Sequence, residues 1–330
     1  MYFKNVGMQS VSDLQKVLQN QWPLVAKNQQ PKGLYEPIDY ILQLPGKRIR
    51  PVLTLLTATC YGNYHEALEA AKAVEIFHNF TLVHDDIMDE APLRRGNQTV
   101  HHKWDLNTGI LSGDAMLIKA YQCLQQYPPE ILAPMLQLFN QTALQVCEGQ
   151  QWDVEFEHME SVTEAQYLQM IQHKTAVLLG CAMQMGAMVH KADEKEAALW
   201  YTFGLQIGTA FQIQDDYLDC FGNPETFGKQ VGGDIIENKK TFLYIHALEL
   251  LSEEDKQQLL HLYSLRPENP QPKIEAVKHY FIQSGSAQKA LDAVQSYSDQ
   301  AFAILDSIAV NESAKAPIRA LAKQLMHREQ

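Results

Sequence analysis

Apolar residues recur at helical spacing through nearly every segment of the 330-residue chain. Proline and glycine, which interrupt helices, are sparse at 14 and 17 residues, and the alternation of apolar and polar residues typical of strands is scarce. No linker-like stretch divides the chain. We therefore expect an all-α fold with a single domain over residues 1–330.

A crowded group of carboxylates ends one of these apolar segments. Asp85 and Asp89 stand four residues apart and so share one face of a helix, with Asp86 beside them and Glu90 directly after. Like charges at this spacing repel one another unless a cation neutralises them. Because no histidine or cysteine stands at ligand spacing, the oxygen-only set favours Mg²⁺ over Zn²⁺. We predict a magnesium site here, although three acids at a solvated helix end are an ordinary alternative.

The same acidic spacing occurs a second time. Asp215, Asp216 and Asp219 repeat it at the end of another apolar helical segment. Two unrelated solvated faces are a poor explanation for this repetition. Two facing clusters would instead hold several Mg²⁺ ions, bind a diphosphate and stabilise it as a leaving group.

Both motifs resemble the aspartate-rich motifs of the trans-isoprenyl diphosphate synthases, also called polyprenyl synthetases, and further matches run from Gly46 to about Thr241. The resemblance implies a single-domain helical bundle of the isoprenoid-synthase type with a central active-site cavity. It also implies a homodimer and three Mg²⁺ ions when diphosphate is bound. It assigns the metal ions to Asp85, Asp86, Asp89, Asp215, Asp216 and Asp219, and catalysis to Asp85, Asp89, Lys174 and Asp215.

Three cations surround a turn before a predicted helix, at Lys47, Arg48 and Arg50. Cations near a helix start oppose the helix dipole, so the helix alone does not explain them. A bound phosphate does, and a solvated basic turn is the alternative. In the family, Gly-Lys-Arg-x-Arg-Pro holds the diphosphate of isopentenyl diphosphate, which implies that role for these three residues.

The first motif has further family matches on either side. His78, seven residues before Asp85, corresponds to a histidine that contacts isopentenyl diphosphate. Two adjacent arginines follow in a loop, and the resemblance directs Arg94 toward the allylic substrate and Arg95 toward isopentenyl diphosphate. The dipeptide His84-Asp85 also occurs in His-Asp metal phosphohydrolases, but that class needs other histidine and aspartate ligands rather than a second acidic motif.

Later matches concern the allylic diphosphate. A predicted helix over residues 163–189 carries Lys174 and Thr175 in apolar surroundings, where a lysine is costly without an anion. The resemblance implies second-shell roles for Gln150 and Asp153. It assigns substrate binding to Lys174, Thr175, Gln212, Lys229 and Lys239, with Lys240 as the alternative to Lys239.

Charge and cysteine content limit the partners and the compartment. A net charge of −12 and a pI near 5.4 argue against nucleic acid. Five cysteines without metal or redox spacing indicate reduced, buried thiols and a cytoplasmic protein. The start lacks a signal-peptide pattern and no run approaches 18 apolar residues, so we expect no membrane anchor. The sequence does not decide the role of Arg328.

We therefore predict a Mg²⁺-dependent prenyltransferase that joins isopentenyl diphosphate to allylic diphosphates. A terpene cyclase is a rival, but it needs no second diphosphate site and so leaves the basic turn unexplained. A non-catalytic partner subunit is another rival, although such a subunit usually carries a damaged aspartate motif, and both motifs are intact here.

Three residues below the first motif predict the product length. Phe80 lies about 7.5 Å and Phe77 about 12 Å along the helix from Asp85, at a rise of about 1.5 Å per residue. In the family, an aromatic residue at the Thr81 position favours a C15 product, and a small residue at the Phe80 position accompanies much longer chains. The intermediate pattern here predicts C20 geranylgeranyl diphosphate, with C15 farnesyl diphosphate as the alternative.

Overall fold

The structure is a computed structural model that describes residues 10–21, 25–223 and 231–326. Over these residues the chain is helical apart from one short antiparallel ribbon, β1 (Leu93–Arg94) with β2 (Asn97–Gln98). The predicted all-α class is confirmed. The helices are α1 (Val11–Gln21), α2 (Lys32–Gln43), α3 (Ile49–Thr59), α4 (Leu68–Met88), α5 (Val100–Lys103), α6 (Leu106–Leu124), α7 (Pro129–His158), α8 (Glu164–Ile171), α9 (Val177–Val189), α10 (Glu194–Phe221), α11 (Gly233–Ile236), α12 (Phe242–Leu250), α13 (Glu253–Leu262), α14 (Gln271–Gln283), α15 (Ser286–Ser307) and α16 (Glu312–Met326).

The helix predicted over residues 163–189 differs from the observed one. It consists of α8, a π-helical turn at Gln172–Ala176, and α9. A π-turn inserts one extra residue into the helical period, and apolar spacing over a long window does not reveal such a local insertion. The turn carries Lys174 and Thr175, so the irregularity falls on two predicted site residues.

The chain divides into two compact units, of which the first comprises residues 1–139, 182–198 and 310–318. Within it α4 packs against α3 and α6, and α2 packs against α6. Gly113 of α6 permits this closeness, because a Cβ there would lie 2.2 Å from Nε2 of His84 on α4. The buried side chains of α4 include Val74, Ile76 and Phe77. This packing fixes the helix that ends in the first aspartate motif.

The second unit comprises residues 140–181, 199–309 and 319–330. Its α12 packs against α8, α14 and α15. The core there is apolar and aromatic, with Tyr167, Ile213, Phe242, Val277 and Phe281 all nearly inaccessible to solvent. The same core supports α10, which carries the second aspartate motif. The single domain over residues 1–330 stays a prediction.

Two further predictions concern the surface and the thiols. Among the described helices, none combines the length and the apolarity needed to cross a membrane. All five cysteines lie in the described part of the chain and none forms a disulfide there, as predicted for reduced thiols. Burial was predicted for all of them, and this is wrong for Cys147, which is exposed on α7.

Candidate active site

The first aspartate motif lies at the end of α4, where Asp89 is the C-cap. A helix C-terminus carries partial negative charge, so the carboxylates there increase the demand for a cation. Asp86 is buried, and Nε of Arg94 donates to both of its oxygens at 2.8 Å. Nη2 of Arg94 also lies 3.5 Å from Oδ2 of Asp85. Burial raises the pKa of Asp86, and Arg94 opposes the rise.

Basic side chains gather at the start of α3. Nη1 of Arg50 donates to Nε2 of His78 at 3.1 Å. Burial lowers the pKa of Arg50 to about 10, and the nearby Arg95 lowers it further while Glu75 opposes. Burial, together with the surrounding arginines, holds the pKa of His78 well below its ordinary value, so this ring is neutral and accepts the hydrogen bond. A bound anion would relieve the repulsion that these shifts report.

The adjacent arginines diverge. Arg94 contacts the aspartates, whereas Nη1 of Arg95 donates to the carbonyl of Pro45 at 2.9 Å. A Cβ on Gly46 would lie 2.5 Å from this Nη1 atom, so the glycine makes room for the guanidinium. The structure therefore brings Arg95 to the basic turn and Arg94 to the first aspartate motif.

Arg48 behaves differently from its neighbours in the turn. Its guanidinium contacts Glu75 and the carbonyls of Leu42 and Leu44, and its side chain is only 11% exposed. The sequence had grouped Arg48 with Lys47 and Arg50 as a diphosphate ligand. That assignment stays a prediction.

The second unit contains a cavity of about 200 Å³ that is open to solvent. It gathers most of the residues predicted in that part of the chain. The lining includes Asp153, Lys174, Thr175, Gln212, Asp215, Asp216, Asp219, Asp234, Lys239 and Lys240. Sequence reasoning missed Asp234, although an aspartate between the predicted phosphate-binding residues Lys229 and Lys239 was a usable signal.

The cavity holds more carboxylate charge than its lysines neutralise. Burial raises the pKa of Asp216 to about 7, although hydrogen bonds from Tyr167 and Gln212 oppose the rise; Asp215 and Asp219 add to it. The hydroxyl of Tyr167 donates to Oδ2 of Asp216 at 2.5 Å, and Nε2 of Gln212 donates to Oδ1 at 3.1 Å. These donors fix the orientation of one carboxylate in the second motif.

The donor set of both motifs fits Mg²⁺ rather than a softer metal. The candidate ligands are carboxylates alone, and in the second motif burial raises the pKa of Asp216, with a further contribution from its carboxylate neighbours. No three metal-binding side chains converge on one point within the described part of the chain. Mg²⁺ does not require such a cage, because it commonly binds through one or two carboxylates and completes its shell with waters and substrate phosphates.

Lys174 projects from the π-turn beside α7. Its Nζ lies 2.5 Å from Oδ2 of Asp153, the residue predicted to act near the metals. Gly149 of α7 permits close contact, because a Cβ there would lie 2.2 Å from the backbone nitrogen of Lys174. Gly149 therefore leaves room for the backbone of Lys174 beside α7, and Asp153, on the same helix, forms an ion pair with the Lys174 side chain. Thr175 donates from Oγ1 to Oε1 of Gln212 at 3.1 Å.

The two candidate lysines after the second motif have different partners. Lys239 pairs with Glu237 at 3.0 Å; burial opposes its charge, but Asp234 and Glu237 raise its pKa. Lys240 donates to the carbonyls of Phe156 and Glu157 at 2.6 and 3.2 Å, at the end of α7. The geometry therefore favours Lys239 as the phosphate ligand. The predicted Lys229 and the undecided Arg328 lie outside the described residues.

Aromatic rings surround the residues predicted to set the product length. Phe77 is 1% exposed, and its ring centroid lies 5.6 Å from that of Phe80 and 5.2 Å from that of Phe139. Phe139 also contacts Tyr121 at 5.2 Å. Thr81 donates from Oγ1 to the carbonyl of His78 at 2.8 Å. Sequence reasoning missed Phe139 and Tyr121, which come from other helices and carry no local signal.

Comparison with known proteins agrees with this geometry. A family model described as polyprenyl synthetase matches residues 31–280. A geranylgeranyl pyrophosphate synthase of Geoglobus acetivorans is 42% identical over 243 residues, which cover 72% of this chain and 76% of that protein. A geranylfarnesyl diphosphate synthase of Natronomonas pharaonis is 39% identical, with 66% and 70% covered. A crystal structure of a geranylgeranyl pyrophosphate synthase superposes with a TM-score of 0.94 at 47% identity, covering 98% of this chain and all of the other.

Proposed function

The chain belongs to the polyprenyl synthetase family, and from this premise we propose that it condenses isopentenyl diphosphate with allylic diphosphates to give geranylgeranyl diphosphate. Its class is an isoprenyl diphosphate synthase with the all-α fold of that family. The substrates, the metal ions, the product length and the oligomeric state are the proposed part.

The observation that carries the proposal is the basic cluster of the first unit. Arg50 and Arg95 are both cations whose pKa burial lowers, and both are neighboured by further arginines. A buried cluster of arginines is stabilised most by a compact, highly charged anion such as a diphosphate. A terpene cyclase binds one diphosphate at its aspartates and has no use for this additional site. The cluster therefore favours a two-substrate condensation.

Each charged group has a place in this reaction. In the first unit, Lys47, Arg50, His78 and Arg95 hold the diphosphate of isopentenyl diphosphate. In the second unit, Lys174 and Lys239 hold that of the allylic substrate. We assign three Mg²⁺ ions to the aspartates of the two motifs, with Asp86 and Asp216 as the members that protein donors hold in place. When bound, Mg²⁺ neutralises the allylic diphosphate and stabilises it as a leaving group.

Carbon–carbon bond formation follows the departure of the allylic diphosphate. The isopentenyl double bond attacks the allylic carbon, and the adduct then loses a proton. The departing diphosphate accepts this proton, because the cavity carboxylates serve the metal ions and His78 lies at the other substrate. Thr175 and Gln212, hydrogen-bonded to each other, line the cavity beside the developing positive charge.

We propose that aromatic rings below the first aspartate motif set the product length by forming the floor of the space that holds the growing chain. Phe77 is buried against Phe80 and Phe139, so these rings close the space along α4 below Thr81. This supports C20 as the product, as the names of the geranylgeranyl relatives also do. C15 farnesyl diphosphate is the alternative, and the relative named for geranylfarnesyl diphosphate shows that similar identity accompanies longer products as well.

A homodimer is supported by exposed apolar residues on α6. Leu106, Ile110, Leu111 and Ile118 are 40–58% exposed, and large exposed apolar patches mark association surfaces. We place a second copy of the chain on this face. Sedimentation of the purified protein should give twice the mass of the 37.5 kDa chain. Ile118→Lys should shift it toward the monomer, and a monomeric wild-type protein would refute this part of the proposal.

Substrate use tests the proposed reaction directly. The purified protein is incubated with radiolabelled isopentenyl diphosphate, dimethylallyl diphosphate and Mg²⁺, and the extractable apolar label is counted. Incorporation should require both the allylic substrate and the metal ion. A terpene cyclase would consume a prenyl diphosphate without incorporating label, and a non-catalytic partner subunit would do neither.

A further inference from the structure

We propose that Arg48 is a positioning residue that shapes the basic turn through Glu75, and that it does not itself bind the diphosphate of isopentenyl diphosphate. The inference deepens the proposed function and rests on it. The sequence presents Lys47, Arg48 and Arg50 as equivalent cations, whereas their surroundings in the structure differ.

Arg48 links three helices. Nη2 donates to the carbonyls of Leu42 and Leu44, at the C-terminal end of α2 where carbonyls lack helical partners. Nη1 contacts Oε1 of Glu75 at 2.5 Å, in the middle of α4. Arg48 itself is the N-cap of α3. One side chain therefore fixes α2, α3 and α4 relative to the turn.

The partner carboxylate is committed to the same arrangement. Glu75 is only 2% exposed and also accepts a hydrogen bond from Nδ2 of Asn79 at 3.1 Å. Turning Arg48 toward a substrate would leave this carboxylate buried without its cation, which is strongly unfavourable. The Arg48–Glu75 ion pair is thus a fixed part of the fold, and it does not supply positive charge for binding a substrate.

The backbone at Arg48 supports the same conclusion. Its φ of 50° and ψ of 39° lie in the left-handed region, which L residues other than glycine, asparagine and aspartate seldom adopt. The side-chain contacts hold the residue in this conformation. Because Lys47 precedes it and Arg50 follows two residues later, the conformation of Arg48 sets the directions of both. Nε2 of Gln15 secures the other side of the turn by donating to the carbonyl of Lys47 at 2.8 Å.

Arg50 and Arg95 differ from Arg48 in the way expected of anion ligands. Arg50 contacts neutral His78, and its buried Nε makes no hydrogen bond with any of the residues that the structure describes. Arg95 contacts a backbone carbonyl. Neither shows an ion pair like that of Arg48 with Glu75. The structure therefore assigns the anion to these residues with Lys47, and the shape of their site to Arg48.

The test compares substitutions at the two members of the pair. Glu75→Gln is nearly isosteric and removes a group that contacts no substrate under either hypothesis. Arg48→Lys keeps the charge but not the planar fork that reaches two helices. The double variant Arg48→Gln with Glu75→Gln leaves no buried charge unpaired and serves where a single variant does not fold. The matched control is Glu69→Gln, on the same helix and in an ion pair with Lys72 at 2.7 Å.

Steady-state kinetics with each substrate varied give the readout, together with thermal unfolding. We expect Glu75→Gln to raise the KM for isopentenyl diphosphate by about 10-fold or more, since small displacements of binding groups have effects of this size. The allylic KM should stay within about twofold. The KM of the double variant for isopentenyl diphosphate should not exceed the higher of the two single-variant values. Glu69→Gln should have the wild-type KM.

Two patterns would overturn the inference. If Arg48→Lys raises the KM for isopentenyl diphosphate and Glu75→Gln does not, Arg48 binds the substrate directly. If both variants lower the melting temperature and kcat without changing either KM, the pair is structural only. A wild-type protein that incorporates no isopentenyl diphosphate would instead refute the proposed function itself, and the inference with it.

Discussion

Replacing Gly149 by alanine should damage the allylic site while leaving the site for isopentenyl diphosphate intact. The added Cβ would lie 2.2 Å from the backbone nitrogen of Lys174, whereas ordinary contacts begin at 3.4 Å. The π-turn and α7 must therefore separate by about 1.2 Å. The nearest atoms are backbone atoms of His173 and Lys174, so no side-chain rotation relieves the clash. This separation moves Lys174 and Thr175 with the π-turn and disturbs the ion pair between Lys174 and Asp153.

The size of the effect follows from this displacement. A misplacement of about 1 Å in a substrate-positioning group costs about 10²-fold in rate, and overpacking costs about 1–3 kcal/mol of stability. We expect kcat/KM for the allylic substrate to fall by about 10²-fold. The KM for isopentenyl diphosphate should change little. Initial rates with each substrate varied in turn measure both quantities.

Gly33→Ala provides the control, because a Cβ there meets nothing within 4 Å. This glycine lies in α2, where alanine is the better helix former by about 1 kcal/mol, so the variant should be fully active and slightly more stable. A Gly149→Ala protein with wild-type kinetics would show that the placement of Lys174 does not depend on this contact, and the reasoning would be wrong.

Five other substitutions test three separate features of the site. Asp85→Asn should cut turnover by at least about 10²-fold with an unchanged circular dichroism spectrum, because it removes a charged contact in the transition state and relieves repulsion; near-wild-type activity would refute the metal assignment. Arg50→Ala should raise the KM chiefly for isopentenyl diphosphate and Lys174→Ala that for the allylic substrate, whereas equal effects on both would contradict the division of the sites. Phe77→Ala should lengthen the product and Thr81→Phe should shorten it; chromatography that shows one chain length for both variants would place the floor elsewhere.

Local patterns predicted the parts of the site that a single helix determines. Both aspartate motifs stand at or near helix ends because an apolar helical period runs directly into them, and four-residue spacing alone gives the shared face. These features depend on neighbours in the sequence, which is why the sequence reveals them. The family resemblance, rather than the local pattern, implied different substrates for Arg94 and Arg95, and this division stays a prediction.

Features that depend on distant contacts were not predicted. The π-turn at Gln172–Ala176 shifts the helical phase locally, and nothing in the apolar spacing marks it. Arg48 pairs with Glu75, which lies 27 positions further along the chain, so the sequence alone did not distinguish Arg48 from Lys47 and Arg50. Phe139 reaches the floor beside Phe77 from another helix. Lys240 resembled Lys239 in sequence but bonds the end of α7, far away in the chain.

The identity of the product tests the central claim most directly. Purified protein is supplied with Mg²⁺, dimethylallyl diphosphate and an excess of labelled isopentenyl diphosphate, and the dephosphorylated products are separated by chain length. We expect a main C20 alcohol carrying three labelled units, with no product when either substrate or the metal is omitted. A main product of C25 or longer would contradict the proposed floor, and no labelled prenyl product at all would contradict the proposed reaction.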